Sequence, residues 1–216
     1  MRIDVLMFEG VAEVDALSTY AVFANAQRRG LAVDPRLVTA DGATEVTGCY
    51  GTTFAGLEPW SPRTARVLAV SGGWILEEIE RGVIPRQLAE AKRAGGNDLV
   101  LAGIDSGALL LGAAGLIEGR PATTHRADYE RLKQWAELVD ARVVDDGDLV
   151  TCGSGWFAGV DLAYWLLERE LGAAAEVVAM EQWIGRDRQG TVWRRSAVGK
   201  VQAPSPPRSD YLAPKV

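Results

Sequence analysis

The sequence predicts an α/β sandwich with a mostly parallel central sheet. Apolar runs of strand length alternate along the chain with stretches of helical spacing, as in successive βαβ units. The run "DLVLAGI" at residues 98–104 is typical of a strand buried on both faces of a parallel sheet. Turns at residues 10–15, 71–74 and 104–107 each follow a predicted strand. We therefore expect them to meet at one edge of the sheet, where α/β proteins bind ligands.

The N-terminal part predicts three strands and one long helix. The first strand covers residues 3–8, and Gly10 separates it from a helix over residues 12–30 whose apolar residues recur at helical spacing. A second strand covers residues 35–40. A third covers residues 65–73 and ends in a glycine turn.

The middle of the chain predicts four helices and the buried strand. Two short helices begin near Ile75 and at Pro85, where proline suits a first helical turn. The buried strand 98–104 continues as a helix over residues 106–117. The pattern "RADYERLKQWAELV" predicts an amphipathic helix over residues 126–139.

The C-terminal part predicts a hairpin and a strong helix. The hairpin covers residues 141–153 and turns at Asp146 and Gly147. The helix covers residues 157–172 and ends at its terminal glycine.

The length of 216 residues favours a single domain. We assign residues 1–185 to that domain. Residues 186–216 are rich in Arg, Pro and Ser, and we interpret them as a C-terminal arm or partly disordered tail.

The composition favours a small-molecule partner. The chain has 23 Lys and Arg against 29 Asp and Glu, a net charge of −6, and its basic residues form no run longer than a pair. This argues against nucleic acid, because phosphate binding needs clustered basic residues. No stretch reaches the roughly 18 apolar residues of a membrane span. The two cysteines lack metal-ligand spacing, so we expect free thiols, a cytoplasmic location and neither metal nor cofactor.

The stretch "GIDSG" at residues 103–107 has the form of a nucleophile elbow. A sharp turn between a strand and a helix would lift the side chain of Asp105 above the sheet, and the flanking glycines allow that crowding. The helix N-terminus favours an anion, so we expect the pKa of Asp105 to tend downward. The alternative is that Asp105 only caps the helix, a position where Asp is common.

Three separated motifs resemble the PfpI/ThiJ superfamily, whose members are relatives of class I glutamine amidotransferases. They are "FEGVAEVDALSTYAVF" at 8–23, "GIDSGALLLGAAGLIEGRPATTHR" at 103–126 and "VVDDGDLVTCGSGWFAGVDLAYWLLE" at 143–168. They are most similar to the isonitrile-hydratase and AraC-regulator branch, and the resemblance covers roughly residues 1–183. It implies a flavodoxin-like three-layer sandwich and a homodimer.

The chain departs from the family pattern at the elbow. Asp105 stands where the family places its nucleophilic cysteine, and Ser106 replaces the usual threonine. Arg126 replaces a tryptophan, and Ser18 and Thr19 replace a Gly-Pro pair. Cysteine chemistry is therefore excluded at this position.

Asp15 matches an acidic residue that lies beside the elbow in the family. Two carboxylates so placed cannot both ionise cheaply, so one pKa should rise while the other stays low. We expect Asp105 to be ionised and Asp15 to carry the proton, although a coupled pair titrates as a unit. Without the resemblance, Asp15 would be a solvated helical residue.

His125 is the single histidine of the chain and falls where the family has its active-site histidine. Together with an aspartate it could activate water, whereas the alternative is a structural role. Arg126 could hold a substrate carboxylate or pair with one of the acids, or be solvated.

Backbone and aromatic groups complete the predicted site. The turn at Gly72 and Gly73 ends a strand, and the N–H groups of Gly73 and Ser106 are candidates for an oxyanion hole. An aromatic pocket would be lined by Trp74, Trp156 and Phe157, unless these residues belong to the core.

Three functions remain open. The first is an acid/base enzyme of the hydratase, dehydratase or cyclase type, acting on a small electrophilic metabolite through Asp15 and Asp105. The second is a hydrolase in which Asp105 attacks carbon and opens an epoxide or another strained ring. The third is a non-catalytic small-molecule binding protein.

Overall fold

The structure is a computed structural model that describes residues 1–195 apart from Ser154. Its strands are β1 (Arg2–Met7), β2 (Asp34–Thr39), β3 (Glu45–Thr47), β4 (Thr53–Ala55), β5 (Glu58–Pro59), β6 (Val67–Val70), β7 (Val100–Ile104), β8 (Pro121–Ala122), β9 (Glu137–Leu138), β10 (Val143–Asp145), β11 (Leu149–Cys152) and β12 (Val192–Arg194). Its α-helices are α1 (Glu13–Arg28), α2 (Ile75–Arg81), α3 (Val83–Gly95), α4 (Gly107–Ala113), α5 (Tyr129–Leu132), α6 (Ala158–Leu171) and α7 (Ala174–Ile184).

Eight strands form the central sheet, in the order β12-β10-β11-β7-β6-β1-β2-β5. Neighbouring strands are parallel except for the β10–β11 hairpin, which the sequence predicts. The pairs β3–β4 and β8–β9 form small separate sheets. The predicted mostly parallel sheet is confirmed.

The helices pack in two groups. Helices α1, α6 and α7 contact one another, while α4 contacts α2, α3 and α5. The crossovers through α1 and through α2–α3 lead in opposite directions along the sheet, so right-handed connections place them on opposite faces. Every residue of β6 and β7 is buried, because helices cover both faces at the centre of the sheet.

The predicted amphipathic helix over 126–139 is wrong. A 3₁₀ turn at Arg126–Asp128 leads into the four residues of α5, and the chain then extends as β9. Backbone hydrogen bonds explain the difference: Glu137 N–H donates to Arg120 O at 2.9 Å, and Val139 N–H donates to Ala122 O at 2.9 Å. This pairing with the segment around β8 replaces the bonds that a longer helix would make.

Helix α7 and strand β12 have no counterpart in the sequence prediction. The predicted boundary after residue 185 falls between them, and residues 186–195 pack on the domain. Arg186 donates to both carboxylate oxygens of Asp161, at 2.9 and 3.0 Å, and β12 pairs in parallel with β10. The rest of the predicted arm lies outside the described residues. Within the described part, no helix is long and apolar enough to cross a membrane.

Candidate active site

Asp105 occupies a sharp turn between β7 and α4. Its φ is 54°, in the left-handed region that Asp tolerates better than most side chains. Gly107 makes the turn possible, because a Cβ there would lie 2.0 Å from Val70 O. The elbow that the sequence predicts is thus present in the backbone.

Hydrogen bonds hold Asp105 from three directions. Its N–H donates to Cys152 O at 2.9 Å, and its carbonyl oxygen accepts from Thr124 Oγ1 at 2.8 Å. Its Oδ1 accepts from Ser106 N–H at 2.7 Å. These hydrogen bonds fix the backbone of Asp105 and orient its carboxylate.

Asp15 meets Asp105 and Ser106 around Gly72. A Cβ at Gly72 would lie 2.6 Å from Ser106 Oγ, 2.9 Å from Asp15 Oδ2 and 3.2 Å from Asp105 Oδ1. Asp15 lies in the first turn of α1 and is buried. Only glycine leaves room at this position for three converging oxygens.

Both carboxylates have a raised pKa. Burial and, second, the charge of Asp105 together raise the pKa of Asp15 to about 7, although a hydrogen bond from the backbone of Gly72 acts in the opposite direction. Burial also raises the pKa of Asp105, against the effects of the Ser106 N–H and of His125. From the sequence, the helix N-terminus is expected to lower the pKa of Asp105. Burial outweighs that effect, because desolvation disfavours the charged carboxylate.

His125 lies close enough to Asp105 to influence its pKa. Its Nδ1 accepts from Ala127 N–H at 3.2 Å, which fixes the orientation of the ring at the start of the 3₁₀ turn. Arg126 is exposed. Asp128, which the sequence analysis does not single out, also raises the pKa of Asp105 and forms an ion pair with Arg131 at 2.6 Å.

The predicted oxyanion donors already have acceptors. Gly73 N–H donates to Ser106 Oγ at 3.3 Å, while Ser106 N–H is engaged by Asp105. The turn itself is fixed, because Ala12 N–H donates to Gly72 O at 2.8 Å and Trp74 N–H donates to Gly10 O at 2.9 Å. A substrate oxygen would have to compete with side-chain oxygens for these donors.

The three aromatic residues are exposed and do not belong to the core. Trp74 packs against Gly10 and lines a cavity of about 280 Å³ that extends along residues 73–77. Trp156 and Phe157 are 65% and 44% exposed and precede α6. Helix α6 contacts α1, where the Oγ1 of Thr19 fills the space beside Gly159.

Glu13 is a second buried carboxylate in the first turn of α1, and sequence reasoning missed it. It accepts from Tyr50 N–H at 2.9 Å, from Thr52 N–H at 3.3 Å and from the Cys49 thiol at 3.3 Å. Burial of the thiol and, second, its hydrogen bond to Glu13 raise the pKa of Cys49 to about 11. Glu13 thus ties the β3–β4 turn to the start of the helix that carries Asp15. Its partners lie 36 to 39 positions further along the chain, so no local pattern indicates these contacts.

The second thiol belongs to Cys152, the last residue of β11, whose carbonyl oxygen accepts from the N–H of Asp105. It is fully buried, and burial together with the charge of Asp15 raises its pKa well above the ordinary value. Across the described ranges, no group of three or more His, Cys, Asp or Glu side chains is arranged to hold a metal ion.

Comparison with known proteins gives one family and several relatives. Residues 1–169 match the model of the DJ-1/PfpI family. Isonitrile hydratase of Pseudomonas putida is 42% identical over 78 residues, which are 35% of this chain and 34% of that protein. The HTH-type transcriptional regulator CdhR of Pseudomonas aeruginosa is 32% identical over 111 residues, 48% of this chain and 32% of the regulator. The matches span about a third of the length of these two relatives.

The fold is also that of a solved relative. The crystal structure of a ThiJ/PfpI family protein from Pseudomonas syringae has a TM-score of 0.71 and 24% identity, over 84% of this chain and 74% of that one. This likeness confirms the predicted flavodoxin-like sandwich.

Proposed function

The chain belongs to the DJ-1/PfpI family, and from that premise we propose that it is an acid/base enzyme of the hydratase, dehydratase or cyclase type. Its substrate is a small electrophilic metabolite, and Asp15 and Asp105 carry the protons. A cytoplasmic location and a homodimer belong to the same proposal.

The observation that carries the proposal is the convergence of three oxygens on Gly72. Asp15 Oδ2, Asp105 Oδ1 and Ser106 Oγ all approach one point at the carboxyl edge of the sheet. With its pKa at about 7, Asp15 holds a proton near neutral pH and can still release it. A general acid works best when its pKa is near the working pH.

Hydration of an isonitrile illustrates the chemistry. Asp15 gives its proton to the isonitrile carbon, and Asp105 takes a proton from water as the water oxygen bonds to the same carbon. The resulting imidate gains a proton on nitrogen and loses one from oxygen, which gives an N-substituted formamide. No thiol is needed, and the proton on Asp105 returns to Asp15.

The surroundings favour a substrate with an apolar part. The cavity beside Trp74 is lined largely by apolar atoms of Trp74, Ile75 and Leu76, and it begins at Gly73, next to Ser106 Oγ. An aryl or alkyl group placed there would leave its reactive carbon near the two carboxylates.

An assay with an aryl isonitrile tests the proposal. We expect formamide to accumulate with wild-type protein and the rate to fall as the pH rises above about 7, where Asp15 loses its proton. Asp15→Asn and Asp105→Asn should each lower the rate by about 10²-fold or more, whereas Asp187→Asn on the surface should not. Full activity in either site variant contradicts the proposal. Tight binding of the isonitrile without turnover would instead support the binding-protein alternative.

The elbow geometry favours a second candidate, in which Asp105 attacks carbon. A side chain raised on a strand-to-helix turn is suited to nucleophilic attack. Styrene oxide in heavy-oxygen water is the test: in a single turnover the nucleophilic route leaves the label out of the diol, whereas direct water attack puts it in.

A further inference from the structure

We propose a second ligand site, for a small phosphate-bearing anion, at the edge of the sheet opposite the elbow. A cavity of about 450 Å³ opens there, beside Val100 at the start of β7 and the β10–β11 turn. Asp105 follows the other end of β7, roughly 16 Å away at the usual rise of a strand. The cavity therefore shares no residue with the candidate active site.

The carboxylates that line this cavity are already neutralised by close partners. Asp145 pairs with Arg169 at 2.8 Å, and Glu170 pairs with Arg66 and Arg169 at 2.7 Å each. Asp146 and Asp148 both pair with Arg120, at 2.8 and 2.7 Å. Lys92 adds a further pair to Asp148 at 2.8 Å.

Two arginines that line the cavity, Arg194 and Arg195, lie further from carboxylates that already have closer ion-pair partners. Arg194 approaches Asp145 only to 3.7 Å, and Arg195 approaches Asp146 only to 3.4 Å. Their side chains are 64% and 60% exposed, unlike the closely paired arginines. The cavity thus has four carboxylates and six cations in or directly behind its wall, with the excess at Arg194 and Arg195.

The two arginines are suited to an anion with several oxygens. A guanidinium binds phosphate through paired N–H donors, and neighbouring guanidinium groups can share its oxygens. The guanidinium of Arg194, which lines the cavity, lies 5.6 Å from the centre of the Trp165 ring, a contact that favours this position of the side chain. Val100 is the one apolar side chain among the lining residues, so the bound group is polar throughout. The volume accommodates a phosphate monoester as well as free phosphate.

Titration with inorganic phosphate, glycerol phosphate and succinate at constant ionic strength tests this site. We expect saturable binding of both phosphate compounds by calorimetry and weaker binding of succinate. The double substitution Arg194→Gln with Arg195→Gln should weaken phosphate binding by about tenfold or more. A matched control, Arg63→Gln with Arg86→Gln, removes the same charge from exposed sites elsewhere and should leave the affinity unchanged.

Two outcomes overturn the site: no saturable binding of either phosphate compound, or an equal loss in the control. Succinate binding as tightly as phosphate would overturn the phosphate assignment. If the glutamine variant does not fold, Arg194→Lys with Arg195→Lys keeps the charge and loses the paired donors. Its affinity should still fall, and an unchanged value contradicts the proposal. The site is independent of catalysis, so loss of one proposal leaves the other standing.

Discussion

Asp105 combines a left-handed backbone conformation with a carboxylate at the head of α4. The conformation costs an L-residue about 1–2 kcal/mol, and Asp and Asn bear it better than residues without a short polar side chain. The hydrogen bonds to Cys152 O and from Thr124 Oγ1 keep the residue there. Strain at a reactive position is typical of sites whose surroundings over-determine the backbone.

The strain leads to a prediction that compares two truncations. Asp105→Gly and Asp105→Ala both remove the carboxylate, but only alanine retains a Cβ at a φ of 54°. We expect the alanine variant to have a free energy of unfolding about 1 kcal/mol below that of the glycine variant. Urea denaturation measures the free energy of unfolding of both variants. An alanine variant as stable as the glycine variant would show that the turn relaxes.

At the residue scale, the candidate pair was predictable and its neighbours were not. Asp105 is indicated by the strand-to-helix turn of its own segment, whereas Asp15 is indicated only by the resemblance of its motif to a known family. Glu13 accepts a hydrogen bond from the β3–β4 turn, and Asp128 raises the pKa of Asp105 at the elbow. Both interactions join residues that are far apart in the chain. Sequence pattern contains no signal for such contacts.

At the scale of elements, the elbow depends on how closely α4 approaches β6. Gly107 is the first residue of α4 and faces the carbonyl oxygens of Val70 and Ser71. Gly153, after β11, is similarly crowded by Thr124 O, at 1.9 Å from a Cβ. These glycines let the backbone segments around Asp105 touch directly.

A prediction follows for Gly107→Ala. The new Cβ would lie 2.0 Å from Val70 O, so α4 or β6 must move. We expect a loss of about 3 kcal/mol in the free energy of unfolding. Gly30→Ala is the control: its φ is 90° with nothing within 4 Å of a Cβ, so only backbone strain of about 1–2 kcal/mol applies. Equal losses in thermal unfolding would contradict the steric argument.

Several elements with strong local signals were predicted correctly, whereas helix α7 was missed and elements that depend on distant partners were not predicted. The buried strand β7 and the β10–β11 hairpin follow from apolar runs and turn residues. The segment 126–139 has helical periodicity, yet pairing of its backbone with residues 119–122 ends the helix after α5. Strand β12 consists of three residues whose place beside β10 no local pattern specifies.

For the whole molecule, burial of Asp15 couples stability to pH. Its pKa is about 7 in the folded protein against an ordinary value of 3.8, so the folded state binds the proton more tightly. The free energy of unfolding should therefore be highest, as far as this group is concerned, below pH about 4 and decrease as the pH rises to 7. Above pH 7 the cost approaches about 4 kcal/mol.

Asp15→Asn removes this dependence. Relative to wild type, we expect the stability of the variant to rise as the pH increases from about 4 to about 7, by up to about 4 kcal/mol in all. Asp187→Asn, the same change at an exposed position, should show no such trend. Denaturant unfolding at a series of pH values measures the free energy of unfolding of each variant relative to wild type. A constant difference between Asp15→Asn and wild type would mean that Asp15 is ionised at little cost.

The Cys49 thiol contacts Glu13, and the Cys152 thiol is buried in the sheet, so the reactivity of each cysteine can report local opening of the structure around it. Alkylating reagents attack the thiolate, and the raised pKa values of Cys49 and Cys152 keep that form scarce while the protein is folded. Modification of Cys49 then records release of the β3–β4 turn from α1, and modification of Cys152 records exposure of the sheet. The order in which a mass spectrometer finds the two adducts tells which part of the molecule opens first.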